Sequence, residues 1–111
     1  MEKKRIMDIL GIQRLVRADQ YEYTVHADVE RKADDLTFEE VENAILSREI
    51  LEQYPDTGRG ESCLILGFAH NIPIHVVCGW RNQKVSIITV YVPKPPKFVT
   101  PWKRRPKNEK Q

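Results

Sequence analysis

Residues 62–92 read SCLILGFAHNIPIHVVCGWRNQKVSIITVYV, and this stretch decides the fold. It contains three apolar runs separated by two polar breaks, His70-Asn71 and Arg81-Asn82-Gln83. Short apolar runs rich in β-branched residues, with turn residues between them, predict strands, and connections this short make neighbouring strands antiparallel. We predict strands over residues 62–68, 74–80 and 84–92.

A further strand is predicted immediately upstream, over residues 50–54. It is stopped by Pro55-Asp56-Thr57-Gly58, which has the composition of a turn. At the other end, Pro93, Pro95 and Pro96 prevent the last strand from continuing, because proline cannot donate to a ladder. The four strands together predict an antiparallel β-meander.

The first half of the chain has the spacing of helices. Apolar residues over 3–18 follow a period of 3.6 and predict the first helix. A second helix is expected over residues 25–34, capped by Thr24, with Tyr21-Glu22-Tyr23 as a short connector before it. Thr37 and Glu40 form a capping box that predicts a third helix ending near Ser47. The predicted fold is therefore α+β, with two to three N-terminal helices packed on a four-stranded antiparallel β-meander.

Composition and charge describe one domain with a basic end. The chain has 111 residues, 41% hydrophobic and 31% charged, which is typical of a single globular domain. Its net charge of +2 divides into +6 over residues 94–111 and −4 over the rest. We predict a domain over residues 1–96 and a basic, flexible tail over residues 97–111. No apolar run is long enough to span a bilayer or form a signal peptide, so we expect a cytoplasmic protein without a membrane partner.

The strands over residues 62–92 are apolar on both faces. A sheet of this kind needs cover on both sides. The helices can cover one face, and the other must meet the tail, a partner protein or a second copy of the chain. A homodimer is therefore one of the expected assemblies.

A cluster of polar side chains is predicted on one face of the last two strands. If Trp80 pairs with Lys84, His75 pairs with Thr89, and Tyr91 lies on the same face. An imidazole beside two hydroxyls is suited to general acid–base work or to phosphate binding. The alternative is a satisfied polar patch beneath a helix, and a one-residue change of register would disperse the cluster.

Cysteine and histidine spacing argues against a metal site. His75 and Cys78 are three residues apart in one strand, so their side chains point to opposite faces and, without a bulge, cannot share one site with Cys63 and His70. We expect no metal and no cofactor. The two cysteines lie in apolar runs and are predicted to be buried free thiols.

The basic end of the chain interleaves aromatic and cationic residues. Trp102 is followed by Lys103, Arg104 and Arg105. Aromatic rings that stack on bases, next to cations that pair with phosphates, are typical of single-stranded RNA binding. The alternative is that Phe98 and Trp102 hold the tail on the domain.

Several motifs together resemble a bacterial and archaeal family of unknown function whose members are similar to small ribonuclease toxins of the RelE/BrnT/MqsR type. The resemblance covers about residues 20–105. The matching segments are Tyr23-Thr24-Val25-His26-Ala27, Leu36-Thr37, Val41-Glu42, Ala44-Ile45, Ile50, Tyr54-Pro55-Asp56, Ser62-Cys63-Leu64-Ile65-Leu66-Gly67, Pro73-Ile74-His75-Val76-Val77, Ile87-Ile88-Thr89-Val90-Tyr91 and Pro93.

The resemblance implies a RelE/BrnT-like fold and a metal-independent endoribonuclease, the toxin of a toxin–antitoxin pair, with RNA and a cognate antitoxin as partners. The candidate catalytic residues are His26, His75 and Tyr91. The candidate RNA-binding residues are Arg81, Thr89, Lys103, Arg104 and Arg105. His26 lies in the first turn of a helix, where the helix dipole disfavours the imidazolium and keeps the ring neutral, as a base requires.

The chain departs from the resemblance at two positions. Relatives carry arginines four and eight residues after the first histidine, where this chain has Glu30 and Asp34. There are thus two hypotheses for the function. The first is the endoribonuclease, and the second is a non-catalytic protein- or RNA-binding module of the same fold. The departure at these two positions favours the second.

Overall fold

The computed structural model describes residues 7–55, 58, 60–94 and 98–104. The helices are α1 (Ile9–Arg17), α2 (Val25–Ala33) and α3 (Phe38–Ser47). The strands are β1 (Tyr21–Tyr23), β2 (Glu49–Tyr54), β3 (Ser62–Ala69), β4 (Ile72–Arg81), β5 (Lys84–Tyr91), β6 (Phe98–Thr100) and β7 (Lys103–Arg104).

The main sheet has five strands in the order β1-β5-β4-β3-β2. Strands β2 to β5 form the antiparallel meander that the sequence predicts, but β1 is added parallel to β5 at the edge. The α+β class is therefore confirmed, whereas the prediction of a four-stranded antiparallel sheet is wrong. The expected connector Tyr21-Glu22-Tyr23 is the extra strand, because a run of three residues is too short to show the period of two that identifies a strand.

Side-chain caps fix where the helices begin. The Asp8 side chain accepts a hydrogen bond from the Gly11 amide (2.7 Å), so α1 begins at Ile9. The predicted helix began at residue 3, and residues 3–6 of it lie outside the described residues. Thr24 caps α2 in the predicted way. The capping box of Thr37 and Glu40 is present at the start of α3, with both of its hydrogen bonds formed.

Two tight turns connect the long strands. His70-Asn71 joins β3 to β4, and Asn82-Gln83 joins β4 to β5. All four residues have positive φ angles, between 52° and 67°. Two-residue loops with positive φ at both positions match the right-handed twist of the flanking strands. They keep β3, β4 and β5 in continuous pairing.

The helices pack against one face of the sheet, where the main core lies. Ile12 of α1, Ile45 of α3 and Val76 of β4 are among its fully buried members. The closest approach is at Gly67, where a Cβ atom would lie 1.8 Å from the Ala44 carbonyl oxygen. Only glycine allows α3 to lie this close to β3.

Two further sequence predictions concern the core and the chain end. Cys63 and Cys78 are free and buried, as predicted, and they lie directly opposite each other on β3 and β4. Residues 98–104 form a hairpin of β6 and β7, while residue 97 and residues 105–111 of the expected tail lie outside the described residues. Within the described part of the chain, no helix is long and apolar enough to cross a membrane.

Candidate nucleic-acid interface

The sheet face opposite the helices carries the predicted polar cluster. His75 of β4 lies directly opposite Tyr91 of β5. Directly paired residues have their side chains on the same face of a sheet, so both side chains lie on this face. The His75 ring is fully buried (0% exposed). Its Nδ1 atom lies 3.2 Å from the Tyr91 hydroxyl oxygen. The two side chains therefore form a hydrogen-bonded pair.

The second ring nitrogen of His75 fixes the proton positions. Its Nε2 atom lies 2.7 Å from the carbonyl oxygen of Pro101. A carbonyl oxygen can only accept, so Nε2 carries a proton. In the neutral ring, Nδ1 is then the acceptor and the Tyr91 hydroxyl donates to it. Both nitrogens of His75 are thus engaged within the chain, and the ring reaches a substrate only if the segment holding Pro101 moves.

The predicted register between β4 and β5 is wrong, although the cluster remains. Trp80 pairs with Val85 rather than Lys84, because the turn contains two residues instead of three. A bulge between Val77 and Cys78 adds a second one-residue shift. Two such shifts restore the original face, so Thr89, now opposite Val77, still shares a face with His75 and Tyr91.

The β6–β7 hairpin lies over this part of the sheet. Its turn is held by the Thr100 hydroxyl, which accepts from the amides of Trp102 (3.3 Å) and Lys103 (3.1 Å). Pro101 occupies the second position of the turn, where its fixed φ is favoured. The Trp102 ring packs on the Phe68 ring of β3, with centroids 5.9 Å apart. The hairpin is thereby attached to the sheet at Phe68 and at His75.

Aromatic and cationic side chains form a row on the surface next to the contact between the hairpin and β3. The Arg48 guanidinium carbon lies 4.9 Å from the centroid of Phe68, and Phe68 in turn contacts Trp102. Trp102 remains 50% exposed, and Lys103 beside it is exposed. We call Arg48, Phe68, Trp102 and Lys103 the aromatic–basic patch. Arg48 and Phe68 were missed by sequence reasoning because they lie far from Trp102 in the chain and only the fold brings them together.

The other predicted site residues are placed elsewhere. His26 on α2 has a 66% exposed side chain, and its Nε2 lies 3.3 Å from the Glu30 carboxylate. It is therefore not part of the His75–Tyr91 pair. Arg81 ends β4, about 20 Å from His75 at the rise of a strand, and its Nε lies 3.7 Å from the Glu22 carboxylate. Arg104 belongs to β7, and Arg105 lies outside the described residues.

Glu30 and Asp34 have a role that the sequence did not reveal. β1 covers only the first part of the β5 edge. Beyond it, Glu30 accepts a hydrogen bond from the Val90 amide (3.1 Å), and Asp34 accepts one from the Val92 amide (2.9 Å). Two carboxylates, one on α2 and one at its C-terminal end, thus take the place of a neighbouring strand. One signal was present: Asp34 lies at the C-terminus of α2, where a negative charge opposes the helix dipole.

The arrangement defines a class: a small α+β domain with helices on one face of a mixed sheet, and a polar pair on the other face beneath an aromatic and basic hairpin. Residues 23–92 match the family described as Domain of unknown function (DUF4258). The match spans well over half of the chain, which therefore belongs to this family. No curated protein and no solved structure matches the chain.

Proposed function

We propose that the protein binds single-stranded RNA through the aromatic–basic patch. The single observation that carries the proposal is the continuous contact from Arg48 to Phe68 to Trp102, with Trp102 half exposed and Lys103 next to it. Single-stranded nucleic acids bind where bases can stack on aromatic rings and phosphates can pair with nearby cations. The patch offers both groups on one surface.

The charge distribution supports the same partner. The segment 94–111 carries +6, whereas the rest of the chain carries −4. An RNA strand is therefore attracted to the basic end and repelled by the remaining surface. Such polarity orients an anionic partner before contact.

The test is fluorescence anisotropy of a labelled single-stranded RNA with the full chain. Trp102→Ala should weaken binding by about 1–3 kcal/mol, the contribution of one stacked base. Lys103→Gln should weaken binding less and should flatten its dependence on salt, because one phosphate contact is lost. Arg14→Gln is the matched control, since Arg14 is an exposed cation on α1, on the other side of the sheet. Equal affinities of wild type and Trp102→Ala would refute the proposal.

A second candidate function is a metal-independent endoribonuclease, the RelE/BrnT/MqsR-type toxin that the sequence resemblance implies, with an antitoxin as partner. The hydrogen bond between His75 and Tyr91 favours it, because a proton can pass between a phenol and an imidazole in general acid–base catalysis. In this mechanism the ribose 2′-hydroxyl attacks the adjacent phosphate, and one group accepts its proton while another donates to the leaving oxygen.

Substitution of Tyr91 tests the second candidate. Tyr91→Phe removes one hydroxyl and keeps the ring that packs at 5.3 Å from His75. If the pair is catalytic, RNA cleavage by the purified chain should fall by two or more orders of magnitude, the usual contribution of a general acid or base, while the melting temperature changes little. His26→Gln is the control for a histidine outside the pair. Absence of cleavage by the wild-type chain, with and without ribosomes, would leave RNA binding as the function.

A further inference from the structure

The outer side of β1 is an open edge of the main sheet. β1 is the first strand in the order of that sheet, and it pairs with β5 on its inner side. The backbone groups of Gln20 and Thr24 bond to β5 at 3.1 and 3.0 Å. Bonding to a parallel neighbour alternates along a strand, so the N–H and C=O groups of Tyr21 and Tyr23 point away from β5. The edge can therefore bond to a further strand through both residues.

A groove of about 480 Å³ runs along this edge. β1 forms one side of it, and Val25 of α2 and Phe38 of α3 also line it. The Tyr23 ring packs edge-on against the Phe38 ring, with centroids 5.1 Å apart. Val25 is nevertheless 82% exposed and Phe38 is 52% exposed. Strand addition needs backbone groups that give affinity and side-chain contacts that give specificity, and this edge offers both.

The edge also has two features that protect sheets from aggregation. β1 has three residues, and the central one, Glu22, is charged. Val25 and Phe38 do not serve such protection, because large apolar side chains exposed beside an edge favour association. The short length and the charge therefore restrict which strand can be added, while the apolar groove still favours the addition of one.

The charge of the groove selects the partner strand. The described residues that line it include three carboxylates and no basic side chain; the carboxylates belong to Asp19, Glu22 and Asp28. Asp28 is compensated by Arg31 (2.9 Å) and Lys32 (3.4 Å). Glu22 has a long, exposed contact with Arg81 (3.7 Å), which contributes little. A second copy of the chain would bring like charges together here, whereas a basic segment complements them.

The alternation of β1 fixes the pattern of that segment. Tyr21 and Tyr23 both reach α3, so their side chains lie on the helix side, and Glu22 between them points to the other face. A residue added opposite Glu22 should therefore be basic, and its two neighbours should be apolar. We infer that the β1 edge binds an extended segment of a partner protein, with alternating apolar and basic side chains, as a sixth strand of the sheet. This interaction goes beyond the proposed RNA binding and does not depend on it.

The test is a two-dimensional ¹H–¹⁵N NMR titration of the full chain with the end-blocked peptide Gly-Val-Lys-Val-Lys-Val-Gly, and with the same peptide carrying glutamate in place of lysine. Shifts should concentrate on the amides of Tyr21, Tyr23 and Val25. Amide exchange at Tyr21 and Tyr23 should slow, because their N–H groups gain acceptors. The lysine peptide should bind at least about threefold more tightly than the glutamate peptide, and Glu22→Lys should reverse this preference. Glu49→Lys is the matched control, since Glu49 is an exposed carboxylate on β2, at the other edge of the sheet.

A third peptide separates strand addition from simple charge attraction in the wild-type chain. The lysine peptide with every internal backbone nitrogen methylated keeps its side chains but lacks N–H donors, so it should bind far more weakly. Equal binding of the methylated and parent peptides would overturn the inference, as would equal binding of the lysine and glutamate peptides. Shifts confined to β2, or none with the lysine peptide, would also overturn it. Shifts of Tyr21 and Tyr23 that grow with protein concentration alone would identify a second copy as the occupant instead.

Discussion

Asp34 is a carboxylate held where its own helix disfavours it. At the C-terminus of α2 its charge opposes the helix dipole, yet its oxygen accepts the Val92 amide hydrogen at 2.9 Å. Without that acceptor, an amide at the edge of the sheet loses its partner. The contact with β5, and not helix formation, therefore explains an acidic residue at this position.

We expect Asp34→Leu to lower the free energy of unfolding by about 1–3 kcal/mol, the effect of removing one charged acceptor from a backbone donor. Asp34→Asn should retain most of the stability, because an amide oxygen can still accept. Urea denaturation measures both variants. His26→Leu, which removes an exposed contact with Glu30 on the same helix, is the control and should change stability by less than about 1 kcal/mol. Equal stability of wild type and Asp34→Leu would show that water satisfies the Val92 amide equally well.

The buried thiols of Cys63 and Cys78 make the stability of the fold depend on pH in the alkaline range. Burial raises the pKa of Cys63 to about 12, and burial together with the neighbouring Cys63 raises the pKa of Cys78 well above its usual value. A thiol with a raised pKa in the folded state favours folding fully below the unfolded pKa of 9.0, and this contribution is lost as pH rises through the folded pKa.

Stability should therefore fall between about pH 9 and pH 12, because the unfolded chain releases thiol protons that the folded chain keeps. Each thiol should contribute a decrease of up to about 1.4 kcal/mol per pH unit. The double variant Cys63→Ala and Cys78→Ala removes both groups and should give a shallower decrease. Thermal unfolding followed at several pH values measures the slopes. Parallel slopes for the two proteins would contradict the assignment to the thiols.

At the scale of elements, the β6–β7 hairpin controls access to His75. Nε2 of His75 is hydrogen-bonded to the Pro101 carbonyl oxygen, and the His75 ring is fully buried. His26 and His70, in contrast, are exposed. These are the three histidines of the chain. The number of accessible imidazoles therefore reports whether the hairpin is in place.

Removal of residues 98–111 should expose His75. Diethyl pyrocarbonate modifies accessible imidazoles, so intact mass spectrometry should detect two histidine adducts on the full chain and three on the truncated chain. The truncated chain must retain a cooperative thermal transition for the comparison to apply. Trp102→Ala, which loosens the hairpin without removing it, should give an intermediate rate for the third adduct. Two adducts on both folded chains would show that another segment covers His75.

The elements with strong local signals could be predicted from the sequence. The capping box of Thr37 and Glu40 and the apolar runs of β3 to β5 were identified because each signal lies within a few neighbouring residues. β1 was not, because its strand conformation depends on pairing with Val85–Ile87 at the far end of the chain.

The sequence predicted that His75, Thr89 and Tyr91 share one face of the sheet, although the register from which this was predicted is wrong. The expected register placed His75 opposite Thr89, but the shorter turn and the bulge moved His75 opposite Tyr91 and kept all three on one face. Bulges depend on packing across the sheet and leave no clear signal in one strand. For the same reason, the contacts of Arg48 and Phe68 with the hairpin could not be read from the sequence.

At the scale of the whole molecule, the two faces of the sheet have separate tasks. The helix side holds the core, including Ile12, Ile45 and Val76. The other side carries the His75–Tyr91 pair and the aromatic–basic patch. Functional groups can therefore vary on one face with little effect on the packing of the other, since side chains alternate between the faces along each strand except at the bulges.

The pairing of β1 with β5 has a consequence for synthesis of the protein on the ribosome. Thr24 and Ile88, which are bonded next to this pairing, are 64 residues apart in sequence. β1 leaves the ribosome early, but its partner strand is among the last parts of the domain to be made. Until β5 emerges, the backbone amides that donate hydrogen bonds to Glu30 and Asp34 are not yet present. Long-range pairing of this kind slows folding, and the nascent chain should remain exposed to chaperones until translation of the domain is nearly finished.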